Sequence, residues 1–234
     1  MEFTVYLLIR ITIVIIISFF LGNGVVVLFN HLPYKWVLNE GESPTEDIIG
    51  KNQQRLTSTP WKWIFTGLFG ATSIYIVITM SLIYSITVLI VMNLLLIATV
   101  SDIKYGIIPD QINILVAISA IGFFSFHDDW TNQLYGAIAG LFILLVLWAI
   151  GKAVYKKDAI GGGDIKMYAS LGLVLGLNGI IITFIISTFL GAIHFAYLLA
   201  QKRISLKDSR PMMPYIFASF IIYTLFLWDF TLNL

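Results

Sequence analysis

Cysteine is absent from the 234 residues, so disulfides, thiolate zinc sites and cysteine nucleophiles are excluded together. Charge is also scarce: 12% of residues are Asp, Glu, Lys or Arg, and the formal net charge of +1 offers no footprint for nucleic acid. Only three histidines, His31, His127 and His194, are available as ligands or bases. Chemistry must therefore come from carboxylates, hydroxyls or these imidazoles. Long polar stretches are missing too, apart from residues 30–61.

What fills the chain is hydrocarbon. At 59% hydrophobic residues and a mean hydropathy of +0.91, it reads as an all-α polytopic membrane bundle. Apolar runs predict about eight spans, at 5–29, 62–80, 82–100, 111–126, 134–153, 165–176, 180–200 and 215–231. A turn near Met80 to Leu82 divides the second from the third, and a break at Asn178-Gly179 divides the sixth from the seventh. The first run is long enough to span and has no small-residue cleavage site, so it is expected to be a retained span. Residues 1–234 then form a single membrane domain, with 30–61 as a loop or small cap and 62–234 as the main bundle.

Alternating the spans puts 13 of the 14 Lys and Arg residues on one face, leaving only Arg10. That bias makes the face cytoplasmic and places both termini outside. Two related segments fall on it, "SDIKYGIIPD" at 101–110 and "AIGGGDIKMYASLG" at 159–172. Each holds Asp-Ile-Lys beside an apolar run.

A carboxylate at membrane depth is costly to keep ionised, which makes Asp102 and Asp164 functional candidates. The helix opening at Asp164 has about a dozen residues before Asn178-Gly179, roughly 20 Å against a core roughly 30 Å thick, so Asp164 is expected below the surface. Gly161, Gly162 and Gly163 supply backbone without side chains beside it, permitting left-handed dihedrals and close approach of another backbone. Two carboxylates sharing such a site share a proton, one serving as base for water and the other as acid for a leaving amine. Lys104 and Lys166, two residues after each Asp, point to other helix faces and are expected to reach toward headgroups. The plainer alternative makes both aspartates interfacial caps and the glycines a loop.

Gly161-Gly162-Gly163-Asp164, with Ile165-Lys166, resembles the second catalytic motif of the type IV prepilin peptidase family, membrane aspartyl proteases with a Gly-x-Gly-Asp signature. Asp102, followed by Ile108-Pro109, resembles the first. "LGNGVVVLFNHLP" at 21–33 is similar to the family's opening signature, and "RPMMPYIFAS" at 210–219 to a Pro-containing stretch before the last span. The resemblance implies a helix bundle that cleaves the basic leader from prepilins or pseudopilins at the cytoplasmic face of a bacterial inner membrane. Asp102 and Asp164 would be catalytic, Pro109 and the glycines would support them, and Gly22 and Asn23 would help shape a substrate groove. Many members carry two Cys-x-x-Cys pairs holding zinc in the first loop and also methylate the new N-terminus with S-adenosylmethionine. Residues 30–61 lack every cysteine, so no zinc is expected, and S-adenosylmethionine is implied only where methyl transfer is retained.

Other residues read more simply. His194 is expected as an interhelical polar contact or proton relay, His127 with Asp128 and Asp129 as a solvated outer loop, Asn23 and Asn93 as interhelical hydrogen-bond sites, and Asp110 as an N-cap. Trp61, Trp63, Trp130, Trp148 and Tyr155 fit interfacial belts. Alternative readings are a preflagellin peptidase or another Gly-x-Gly-Asp protease, a proton-coupled transporter using the same two acids, and a non-catalytic scaffold of a pilus or secretion machine. Neither the substrate nor the oligomeric state is encoded legibly.

Overall fold

The computed structural model describes residues 2–38, 43, 48, 55–127, 129–156, 160–205, 208 and 210–229. It is all-helical: α1 (Glu2–His31), α2 (Trp61–Thr79), α3 (Leu82–Tyr105), α4 (Asp110–Ser119), α5 (Trp130–Tyr155), α6 (Gly162–Ala200) and α7 (Met213–Ile222). A 3-10 stretch, Ala120–Phe126, continues α4, and a π-helical turn, Tyr223–Leu227, continues α7. Five of the helices are long and apolar enough to cross a membrane, and the segments 110–126 and 213–227 are shorter apolar helices.

α6 contains two spans. Its 39 residues include Gly176 at φ 70 and ψ −177, a conformation closed to side-chain-bearing residues. The Tyr168 hydroxyl lies 2.5 Å from Ser187 Oγ, and the Tyr168 and Phe184 rings are 5.9 Å apart. In a straight helix, 19 residues would separate the first pair by roughly 28 Å. The chain therefore folds back at Gly176, giving limbs 162–175 and 177–200. The expected break at Asn178-Gly179 is thus displaced, and those two residues belong to the second limb. Among the described residues, eight apolar segments result.

Side chains from the α4–α5 connection satisfy this break. Asn132 Oδ1 accepts the Leu177 amide at 3.0 Å, and His127 Nε2 lies 3.0 Å from the Val174 carbonyl. His127 also sits 5.5 Å from the Trp228 ring, so it is a packed residue and not part of a solvated loop. Asp129 accepts the Thr131 amide and hydroxyl as N-cap of α5, and these bonds hold its carboxyl below the usual range.

α5 and α6 approach through glycine. Gly136 and Gly140 on α5 and Gly172 and Gly176 on α6 each repeat at a four-residue spacing, the small-xxx-small pattern of membrane helix pairs. A Cβ on Gly172 would strike the Gly136 carbonyl, and one on Gly136 the Gly172 carbonyl. Gly22 makes a comparable crossing on the other side of the bundle, where a Cβ would overlap the Thr66 backbone of α2.

α3 runs through the centre, packed against α1, α2, α4 and α7. That placement explains why its apolar residues are not confined to one stripe. Asn93 donates to the Leu21 carbonyl at 3.5 Å, an interhelical contact as expected. Asn23 donates instead to Phe19 within its own helix. His194 contacts the Tyr215 hydroxyl at 2.5 Å, linking α6 to α7.

Of the 30–61 segment, the described parts dock on the bundle. Tyr34–Val37 forms a 3-10 turn, Asn30 exchanges two hydrogen bonds with Leu56, and the Arg55 guanidinium, 3% exposed, donates to the carbonyls of Leu32 and Ile48. The acidic residues Glu40, Glu42, Glu46 and Asp47 lie outside the described residues, as do Asp128 and Lys157.

Candidate active site

The ends of α1, α3, α5 and the second limb of α6 meet the starts of α2, α4, α6 and α7 at one end of the bundle. A cavity of 590 Å³ opens there, lined by Asp102 and Asp164 together with Lys35, Trp36, Gly106, Ile108, Pro109 and Gly161–Gly163, among others. Residues about sixty apart in sequence thus share one site.

Asp102 lies one turn before the end of α3. Its backbone carbonyl accepts the Gly106 amide, and Gly106 closes the helix at φ 67, where glycine avoids the Cβ penalty. Its side chain is 7% exposed, and Oδ2 accepts the Met213 amide at 3.0 Å. Met213 is the first residue of α7, whose first-turn amides have no partner within their own helix. Asp102 therefore anchors the start of α7, while Pro214, lacking an N–H, sits harmlessly in that first turn.

Asp164 is the third residue of α6 and is half-buried. Gly161, extended at φ −70 and ψ 142, occupies the N-cap, and the Asp164 carboxylate turns back toward the Gly161 amide. Its Oδ1 is buried without a hydrogen-bond partner among the described residues. The capping alternative thus accounts for one side of this carboxylate and leaves Oδ1 without a partner among the described residues.

The glycine triplet works by close approach alone. Positive φ occurs at Gly106 and Gly176 among the described glycines, so the left-handed dihedrals expected at 161–163 are not used. A Cβ on Gly163 would lie 3.0 Å from Ile108 Cβ, and one on Gly161 3.1 Å from Asp164 Oδ2, whereas one on Gly162 meets nothing within 4 Å. The spacing G-x-G-D has a steric basis: its first glycine leaves room for the carboxylate, and its second packs α6 onto the Ile108-Pro109 turn. Gly163→Val should accordingly lower the melting temperature while Gly162→Ala leaves it unchanged, as read by thermal unfolding in detergent. Equal melting temperatures would refute this account.

Several expected placements differ. Pro109 is the N-cap of α4 and Asp110 lies in its first turn, so Asp110 is not the cap. Lys166 does not run out to headgroups; its ammonium contacts both Asp110 oxygens, at 2.8 and 2.7 Å. Lys104 folds onto the Arg55 carbonyl and stands 5.7 Å from the Tyr105 ring centre. Gly22 and Asn23 are not on the cavity wall. Conversely, the Met213 amide, Gly106 and the wall formed by Lys35, Trp36 and Leu38 were not singled out from sequence. Gly106 carried a readable signal, a glycine after an apolar run and shortly before proline. The Met213 contact carried none, since it joins residues 111 apart.

Comparison with known proteins bears on the same segment. The model of the type IV leader peptidase family matches residues 88–196, which include both aspartates. The chain is 33% identical to a prepilin leader peptidase/N-methyltransferase of Bacillus subtilis over 161 residues, 68% of this chain and 62% of that protein. It is 29% identical to a protein of the same description from Xanthomonas campestris pv. campestris over 117 residues, 49% of this chain and 41% of the relative. The chain thus spans less than two thirds of the length of these relatives. No solved structure matches it.

Proposed function

We propose that this chain, which belongs to the type IV leader peptidase family, is a membrane aspartyl endopeptidase that removes the basic leader from prepilins or pseudopilins at the cytoplasmic face. The carrying observation is the common cavity of Asp102 and Asp164, lined on its other sides by glycine backbone and the Ile108-Pro109 turn.

The chemistry follows from two carboxylates holding one proton between them. The ionised member takes a proton from water as the water oxygen bonds to the scissile carbonyl carbon. The protonated member gives its proton toward the carbonyl oxygen, and a proton then passes to the amide nitrogen as the C–N bond breaks. The products are a free carboxyl on the leader and a free amine on the mature protein, and the carboxylate pair regains its shared proton. Asp102 is steadied by Met213, and Asp164 lines the cavity with its Oδ1 unpaired among the described residues, which supports roles at the reacting atoms for both. Pro109 and Gly163 support the pair by packing, while Lys166 acts at a distance by holding Asp110.

The orientation rests on the basic residues, of which the described Lys35, Lys104, Lys152 and Lys166 lie at the cavity end of the bundle. The relatives' description joins the peptidase to an N-methyltransferase. Proteolysis itself needs no cofactor with two carboxylates at hand. Mass spectrometry of a prepilin incubated with the purified protein in detergent tests it. Loss of the leader, undiminished by a metal chelator, is the expected result. An uncut prepilin, or cutting abolished by the chelator, would overturn it, and addition of S-adenosylmethionine would report methyl transfer in the same spectrum.

A further inference from the structure

A second concavity, a groove of 560 Å³, lies beside the catalytic cavity and has no part in the chemistry above. It is lined by Leu145, Trp148 and Lys152 of α5 and by Ile160, Gly161, Gly162 and Ile165 at the start of α6. The α5 residues recur at i, i+3 and i+7, so they share one helix face. Gly161 and Gly162 belong to both concavities. The two spaces are therefore neighbours across a ridge of backbone without side chains.

Their linings differ in kind. Asp102, Asp110 and Asp164 line the cavity with Lys35, while the groove has four large apolar side chains and Lys152, whose ammonium stands 4.6 Å from the Trp148 ring centre. The α5 face that bears the groove continues as apolar, outward-facing surface, with Ile138 54% and Leu141 40% exposed at the same helical register, as suits a helix bordering lipid. A substrate with a basic leader followed by an apolar helix presents the complementary order. Its cations suit the carboxylate side, and its helix suits the apolar side at the same end of the bundle.

We infer that the groove between α5 and the start of α6 receives the substrate's apolar helix, and that the chain crosses the Gly161-Gly162 ridge to present its leader junction to the two aspartates. This inference rests on the peptidase reading and adds the route by which the substrate reaches the site. Entry is lateral, from the bilayer, so the helix is never extracted into water. Gly162, beside which a Cβ would find open space, leaves clearance for the crossing strand. Trp148 supplies the largest apolar contact of the groove and is the residue on which specificity for a helix-bearing substrate depends.

Photo-crosslinking tests this directly. A benzophenone amino acid is placed at position 148 in an Asp164→Asn background, and the protein is reconstituted in liposomes with a prepilin. A second protein carries the same group at Ile13, an exposed position on α1, which packs mainly against α2. The expected adduct joins position 148 to the prepilin's apolar helix and is weak or absent from position 13. In the catalytically intact protein, Trp148→Ala should raise KM for prepilin about tenfold with kcat nearly kept, as loss of a ground-state contact requires. Adducts to lipid alone, or equal adducts from both positions, would overturn the inference, as would an unchanged KM. If the unsubstituted protein cuts no prepilin, the peptidase reading fails instead, so the two failures are distinguishable.

Discussion

Asp102→Asn and Asp164→Asn are each expected to reduce prepilin cleavage by a factor on the order of a thousand or more, the range over which positioned acid–base groups act. Asparagine has nearly the same size and keeps a carbonyl oxygen. In Asp102→Asn that oxygen still accepts the Met213 amide, so the start of α7 stays anchored. In Asp164→Asn the third residue of α6 remains a short polar side chain near the Gly161 amide. Both proteins should insert and elute like the parent on size exclusion, separating chemistry from folding. Because the two carboxylates act as a unit, the double replacement should cost little more than either one. Cleavage above about a tenth of the parent's in either single variant would contradict general acid–base chemistry at this pair.

Gly172→Val is expected to have a comparably large effect through assembly. Its new Cβ would meet the Gly136 carbonyl and the Ala137 amide, which are backbone atoms on a facing helix and cannot rotate away. Overpacking of this sort costs roughly 3 kcal/mol or more, a large share of a domain's net stability. Since α6 is tied to α5 here, the start of α6 and hence Asp164 would be displaced together. Gly67→Ala is the matched control, because a Cβ there meets nothing within 4 Å. Thermal unfolding in detergent should show a large loss for Gly172→Val and almost none for Gly67→Ala. Similar melting temperatures for both would mean that the α5–α6 pair does not depend on backbone contact.

The same glycines mark where sequence reading stops. The four-residue spacing of Gly136 with Gly140 and of Gly172 with Gly176 is visible in the chain, and it signals that some close crossing exists. It does not name the partner. Gly22 illustrates the difficulty: its place in a signature suggested a substrate groove, whereas it provides room for α2 at Thr66. Lys166 is similar. Its local spacing removed it from Asp164 correctly, but its partner Asp110 lies on α4, 56 residues away.

Composition, apolar run lengths and basic residues were enough to determine an all-helical membrane bundle of eight apolar segments, because hydrocarbon sets segment length and leaves the backbone only its own hydrogen bonds to make. The two Asp-Ile-Lys segments likewise identified Asp102 and Asp164 as the acids to examine, since buried carboxylates have few inexpensive structural uses. Tertiary structure alone decided which glycines must stay bare, that α6 turns at Gly176 and not two residues later, and that Met213 anchors Asp102. It also decided that the glycine ridge divides a carboxylate cavity from an apolar groove. Each of these depends on the distance between atoms of different helices, and that distance is set by how the whole bundle packs.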